Sequence, residues 1–510
     1  MPDAKIPMQH SGTDFRNDPS SVNPGSRPAA APAPAMTVLP LDLAANASLA
    51  GLQTFLTRCR EAARQSGRPR LVSISLEVEA LDPLAVLESI FEPGEPHCYA
   101  ERPDLETAIS GAEVACEFEA RGPGRFAAVQ RWIDDTIAGT LAVGDVAAPF
   151  GGPHFFARFA FGDETGPGEP FPAAHVFVPR WQVARAGAVT TAVANFVVTP
   201  DAALAPLAER VWNAHQKFRG FEYREARAAA AAGTDAVAIR SSGDTGDYRA
   251  AVARALDCIG RGEFSKIVLA RTRDLVADRP LHPLRLLNGL RQRFPSCYAF
   301  SFANGRGQSF IGASPERLVR VSRGVLETEA LAGSIRRGAG ASEDAALAAA
   351  LQRSDKDLRE QRLVIDAIAG RLEQLGLRPE FPGSPGIRRL ANVQHLHTPI
   401  RAVLPDSVRL LDALGALHPT PAVGGEPRAA ALARIPELEG FPRGLYAGAL
   451  GWLNAHGGGE FFVGLRSALI DGARARLYAG AGIVAGSSPE NEFAETELKF
   501  KAMQDALLAP

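Results

Sequence analysis

Apolar and polar positions along this chain switch repeatedly between helical and strand-like spacing. In the first half, Leu52 to Ala63 repeats at helical spacing, and Arg70 to Glu79 (RLVSISLEVE) alternates at period two. Phe126 to Ala142 reads as a helix, Phe155 to Phe161 and His175 to Phe177 as strands, and Ala203 to Arg227 as a further helix. Ala228 to Asp247 turns Ala/Gly-rich and then polar, and reads as a connection. Beyond it, a helix from Tyr248 to Arg261 leads into a strand, Phe264 to Arg271, and a helix from Pro283 to Arg293 precedes strands at Cys297 to Phe302 and Ser309 to Ile311. Strands recur near Val319 and Leu326, followed by helices at Glu343 to Leu351 and Lys356 to Leu375. Runs of strands without regular βα alternation predict an α+β fold rich in antiparallel pairing.

The densest pattern is the C-terminal run LYAGAGIVAGSSPENEFAETELKFK, from Leu477 to Lys501. A glycine-containing strand, Leu477 to Val484, breaks at Gly486-Ser487-Ser488-Pro489, where Ser488 suits an N-cap and Pro489 the first helical position. At about 100° per residue, Glu492, Glu495 and Lys499 share one flank, beside an apolar stripe of Phe493, Phe500, Met503 and Leu507. Oxygen ligands for a hard cation, next to a carboxylate-bearing substrate, are the chemistry this suggests. A plain i,i+4 surface pair between Glu495 and Lys499 is the simpler alternative. Gly480 to Ala485 also fits G-x-G-x-x-A, but Ser487-Ser488-Pro489 interrupts the strand-to-helix turn and no second strand follows, so a dinucleotide site is rejected.

Composition narrows the class further. The 510 residues, 46% hydrophobic and 22% charged with a formal net charge of −2, describe a globular chain without a basic field for nucleic acid or anionic membrane. No stretch approaches a transmembrane span. Cys59, Cys98, Cys116, Cys258 and Cys297 are scattered and read as reduced, packing thiols of a cytoplasmic protein. Residues 1–35 are polar and then Pro/Ala-rich, with acids that argue against a transit peptide, and read as a disordered tail.

Several residues could carry chemistry. Lys266 opens an apolar strand; such a lysine usually snorkels to the surface, but partial burial would favour a neutral amine able to act as a general base. Glu316 emerges from a Gly-Ala-Ser-Pro turn, either paired with Arg317 or solvent, or as a protonated general acid. Glu360 sits early in a helix behind the capping pair Ser354 and Asp357, on a solvated face or as a third carboxylate with Glu492 and Glu495 for Mg²⁺. Gly333 and Ser334 offer donors, Arg466 in an apolar strand calls for an anion, and Tyr446 could present its hydroxyl at a close backbone approach. His395 and His397 form an H-x-H, but no third zinc ligand of suitable spacing follows. His154, His175 and His215 read as structural.

Taken together, FSKIVLAR, FIGASPERLV, ETEALAGSIRRG, SDKDLREQRLVIDAI, NVQHLHTPIRA, LGALHPTPAVGGEPR, RGLYAGALGW, FFVGLRSALI and AGAGIVAGSSPENEFAETELK resemble the chorismate-utilising family. That family includes isochorismate synthases, salicylate synthases, anthranilate synthase large components and aminodeoxychorismate synthases. The resemblance runs from about Tyr248 to Met503 and is weak before it. It implies an anthranilate synthase-like α+β fold of two packed antiparallel sheets flanked by helices, with residues 36–247 as its N-terminal part and 248–510 as the catalytic region. It also implies Mg²⁺, the substrate chorismate, a monomer, and a downstream isochorismate pyruvate lyase or isochorismatase. On this likeness Lys266 activates water and Glu316 protonates the departing C4 hydroxyl. Glu360 and Glu495 hold the metal with Glu492 supporting through water, while Gly333, Ser334, His395, Thr398, Tyr446, Arg466, Gly482 and Lys499 hold the ring and its carboxylates. Lys266 favours water over ammonia as nucleophile, and the His395-Leu396-His397-Thr398 stretch looks most like isochorismate synthases of siderophore and salicylate pathways. Gln361 departs from the His that many relatives carry there. A salicylate synthase that releases pyruvate, or a silent chorismate-binding protein, are the rival readings.

Overall fold

The computed structural model describes residues 34–39, 48–90, 92–219, 238–244, 246–391 and 393–508. Nearly all of the expected tail, the first part of the expected connection and the end of the Ala203 to Arg227 helix lie outside those residues. Among the described residues the strands join into one continuous, mainly antiparallel network. One half runs Ile239–Asp244, Lys266–Ala277, Arg474–Val484, Ser467–Asp471, Gln308–Ser314, Tyr298–Ala303, His97–Arg102 and Thr107–Ala120. The other runs His154–Phe159, Ala449–Asn454, Gly459–Val463, Arg317–Ser322, Val325–Arg336, Val393–Val403 and Gly386–Arg389. Thr107–Ala120 and its partner Ala174–Ala186 link the two halves, and the former changes register between Val114 and Cys116, beside Glu113 at φ 57°.

A bulge of this kind sharpens twist, and here the network bends so that the halves face each other. Tyr298 and Phe300 of the first half lie over Phe462 of the second, at ring-centroid distances of 4.8 and 5.2 Å. Phe155, Phe156, Phe159, Phe302, Phe310 and Phe461 complete a fully buried aromatic core. Each such ring removed from water contributes ~2–3 kcal/mol, and favourable ring pairs add ~1 kcal/mol. A separate cluster packs the helices Leu49–Ser66 and Leu204–Arg219 on the strands Arg70–Val78, Thr140–Gly144 and Val189–Val198. The first of these helices starts where Ser48 accepts the Gly51 N–H and stops at Gly67, φ 63°.

Most sequence-expected elements are present, with informative differences. The helix expected through Ala142 ends at Ala138, because Gly139 halts it and Thr140–Gly144 pairs in parallel with Arg70–Val78. The expected connection contains the strand Ile239–Asp244, held to Lys266–Ala277. Among the described residues, no helix is long and apolar enough to cross a membrane.

Candidate active site

Two crossovers between the sheet halves lie side by side and define the site. The chain passes from Gln308–Ser314 to Arg317–Ser322 through Pro315 and Glu316, and from Gly459–Val463 to Ser467–Asp471 through Gly464, Leu465 and Arg466. They are tied by the Ala313 N–H to the Arg466 carbonyl at 3.1 Å and the Val463 N–H to the Glu316 carbonyl at 3.1 Å. Gly312 permits this: a Cβ there would lie 2.7 Å from the Arg466 carbonyl oxygen. Arg466 itself takes φ 46°, the left-handed region unfavourable to a side chain.

Glu316 is buried, and the alternative in which it pairs with Arg317 or solvent fails. Arg317 turns to Tyr298, Glu460 and Glu327 instead. Burial, and then the neighbouring Glu329 charge, push the Glu316 carboxyl up to about 8, against Lys266, Arg388 and Lys499. It is a carboxyl kept protonated near neutrality.

Lys266 does not snorkel. Its side chain is wholly buried, and Nζ donates to Glu360 Oε1 at 2.8 Å. The register explains the space: Lys266–Ala277 pairs with Arg474–Val484 so that Val268 faces Gly482, and a Cβ on Gly482 would stand 2.6 Å from Glu360 Oε1. Glu360 reaches this point from the helix Asp355–Gln374, which begins where Ser354 accepts the Asp357 N–H. Its side chain is 11% exposed, so the solvated-face alternative fails. The lysine strand is braced from behind by the buried pair Glu439 and Arg443, which bond the Ala270 N–H and the Val268 carbonyl.

The C-terminal helix Pro489–Leu508 brings the remaining acids. Lys499 Nζ donates to Glu495 Oε1 at 2.8 Å and to the Gly480 carbonyl at 2.7 Å, so the i,i+4 pair is real and also anchors the glycine strand. Lys356 Nζ meets Glu492 Oε1 at 3.2 Å. Burial and then Glu495 push Glu492 up, and Asp357 is likewise raised by burial and by the Glu360 and Glu495 charges. Among the described residues no three His, Cys, Asp or Glu side chains stand together as a ready metal cage. Each of Glu360, Glu492 and Glu495 is instead clasped by a lysine. Carboxylates that repel one another and lean on amines are nonetheless the donor chemistry a hard divalent cation takes.

The opposite wall comes largely from the second half. Gly333, φ 70°, sits at a register shift between Ala332 and Ser334 and passes close to Asp357. Ser334 Oγ lies 2.9 Å from His395 Nδ1, and Arg466 Nη2 lies 3.3 Å from His395 Nε2. An arginine can only donate, so Nε2 accepts and Nδ1 carries the proton. Burial, then Arg466 and Lys499, hold His395 well below its ordinary range, so the ring is neutral. Arg466 Nη1 is buried without a hydrogen-bond partner, leaving a cationic fork that an anionic ligand would complete. Tyr446 stacks on Tyr478 at 5.2 Å, with its hydroxyl 2.8 Å from where a Cβ on Gly480 would stand. Thr398 is fully buried, and its hydroxyl accepts from Gln361 Nε2 at 3.1 Å, so it supports the Glu360 helix. Sequence reasoning missed Lys356 and Asp357, although i−4 and i−3 spacing from Glu360 places them on its side of the helix. It also missed Glu329, which nothing in the local sequence marks.

His154 and His175 are structural, bonded to Gly152 and Glu117, and the His215 side chain lies outside the described residues. His397 Nε2 meets Glu329 Oε2 at 2.9 Å.

Comparison with known proteins bears on the family and the fold. The family described as chorismate binding enzymes matches residues 54–508. The salicylate biosynthesis isochorismate synthase of Pseudomonas aeruginosa is 39% identical over 450 residues, covering 87% of this chain and 91% of that protein. The menaquinone-specific isochorismate synthase of Escherichia coli shares the fold with a TM-score of 0.71 at 26% identity, over 89% of this chain and 99% of that structure. Anthranilate synthase component I of Streptococcus pneumoniae has a TM-score of 0.61 at 22% identity, over 78% of this chain and 92% of that one, a likeness of fold.

Proposed function

The chain belongs to the chorismate binding enzyme family, and on that premise we propose that it is an isochorismate synthase, converting chorismate to isochorismate with Mg²⁺. The observation that carries this reading is a buried amine, Lys266, sharing one site with a buried carboxyl, Glu316, raised by burial and Glu329 to about 8. Water must add at C2 while the C4 hydroxyl leaves, which takes a base and an acid at separate points of the ring. Lys266 Nζ takes the proton from the attacking water. Glu316 delivers its proton to the departing hydroxyl, which leaves as water. Arg466, with its unpartnered Nη1, and Lys499 supply positive charge for the substrate carboxylates, and neutral His395 holds Arg466 in place. Glu360 and Glu495, supported by Glu492, would hold the magnesium ion, which when bound neutralises a substrate carboxylate and fixes its orientation.

The Pseudomonas relative's named role supports salicylate biosynthesis as the route, with a separate isochorismate pyruvate lyase or isochorismatase consuming the product.

Two expected results test the metal and the geometry. Chelation with EDTA is expected to stop chorismate consumption and added Mg²⁺ to restore it, with Glu495→Gln needing a higher magnesium concentration for half-maximal rate; full activity after exhaustive chelation would remove the metal from the account. Gly482→Ala places a methyl 2.6 Å from Glu360 Oε1. The clash is with the tip of a flexible side chain, so the fold should hold while turnover falls ~10–100-fold through misplacement of Glu360. Unchanged kinetics in a normally folded Gly482→Ala protein would show that Glu360 need not stand there.

A further inference from the structure

Glu329 stands in the Val325–Arg336 strand, buried, and its one part so far is the charge that helps raise the Glu316 carboxyl. Donors from three different strands converge on it. Its Oε1 accepts the Arg317 backbone N–H at 2.9 Å, the amide that directly follows Glu316. Arg388 Nη1, from Gly386–Arg389, donates to both oxygens at 2.8 and 2.9 Å. His397 Nε2, from Val393–Val403, donates to Oε2 at 2.9 Å. Burial alone would raise this carboxyl, but the His397 hydrogen bond, the Arg388 charge and the Arg317 amide hold it down at about 2. A carboxylate so thoroughly caged stays ionised at every working pH.

The cage touches the peptide that carries Glu316, and a neutral acceptor would have sufficed merely to satisfy that amide. We propose that Glu329 is a positioning residue for Glu316: anchored by Arg388 and His397, it fixes the Arg317 amide and the turn that aims the acid, and it sets a permanent negative charge behind that acid. The inference rests on reading Glu316 as the general acid. It also gives the His395-Leu396-His397 motif two separate tasks, since His395 serves Arg466 and Ser334 while His397 serves Glu329.

The charges bearing on the Glu316 carboxyl are Glu329 on one side and Lys266, Arg388 and Lys499 on the other, and the Tyr446 hydroxyl also feels it. Like charges at close range oppose ionisation of the second, so Glu329 keeps the proton on Glu316 and Arg388 works against it. The test is the pH profile of chorismate turnover by the full chain, wild type against Glu329→Gln, Glu329→Asp and Arg388→Gln. Glu329→Gln keeps an acceptor for the amide but loses the charge, so the alkaline limb should move down by about one pH unit or more. Glu329→Asp should keep the limb near its wild-type position. Arg388→Gln should move it up, an opposite sign that stays readable if Glu329→Gln does not fold. A uniform loss of rate in both charge-changing variants with the limb in place would reduce Glu329 to a structural brace and overturn the proposal. Failure of the underlying reading looks different: Glu316→Gln would then keep its turnover, or the wild type would show no alkaline limb to move.

Discussion

Lys266→Ala is expected to lower kcat for chorismate by ~10²–10⁴-fold, the span a general base contributes, while magnesium-dependent binding of chorismate persists. In barrier terms this is ~3–5 kcal/mol. The side chain is wholly buried and ends on Glu360 at 2.8 Å, so no solvent-borne amine stands ready to replace it. Its removal leaves the Glu360 carboxylate short of a partner, at a cost of ~1–3 kcal/mol. Lys356 lies within electrostatic reach of Glu360 and limits that loss. A thermal melt therefore separates damage to the fold from damage to the chemistry, and calorimetric titration with chorismate and Mg²⁺ reports the surviving binding. A near-normal rate in Lys266→Ala would take the base away from this residue.

Glu316→Gln is expected to be comparably inactive at every pH, because glutamine preserves the shape of the side chain but has no proton to give. For the unsubstituted protein the sign follows from the direction of the shift. Glu316 acts only while protonated, and burial with the Glu329 charge raises it to about 8. Turnover should therefore hold through neutrality and fall about tenfold per pH unit above that limb. An ordinary exposed glutamate would already be ionised near pH 5 and would give no such plateau. A rate that keeps rising past pH 9, or a Glu316→Gln protein that turns over normally, would place the acid elsewhere.

The parts of this account legible in the sequence are those whose cause is local. The turn at Ser488-Pro489, the helix Pro283–Arg293 and the strand ending at Val484 carry their own caps and periodicity, and each lies where the pattern put it. Helical spacing suggests Glu492 and Glu495 as oxygen ligands, a capped helix start suggests Glu360 as a third, and the family resemblance assigns all three to magnesium. What was not legible depends on distant partners. Lys266 looks like a surface lysine until the strand opposite supplies Gly482, whose missing side chain leaves room for Glu360. The helix expected to run to Ala142 stops early because Arg70–Val78 recruits the following residues as a strand. Glu329 alternates in Glu327-Thr328-Glu329 as an outward-facing position would, and only Arg388 and His397, brought in across the sheet, turn it into a buried carboxylate.

Chromatographic product analysis of the purified protein with chorismate, with and without Mg²⁺ and with a coupled pyruvate assay, tests the central claim most directly. The account predicts magnesium-dependent isochorismate without stoichiometric pyruvate. Salicylate with matching pyruvate would contradict it in favour of a salicylate synthase, and no magnesium-dependent product at all would contradict it in favour of a protein that only binds chorismate.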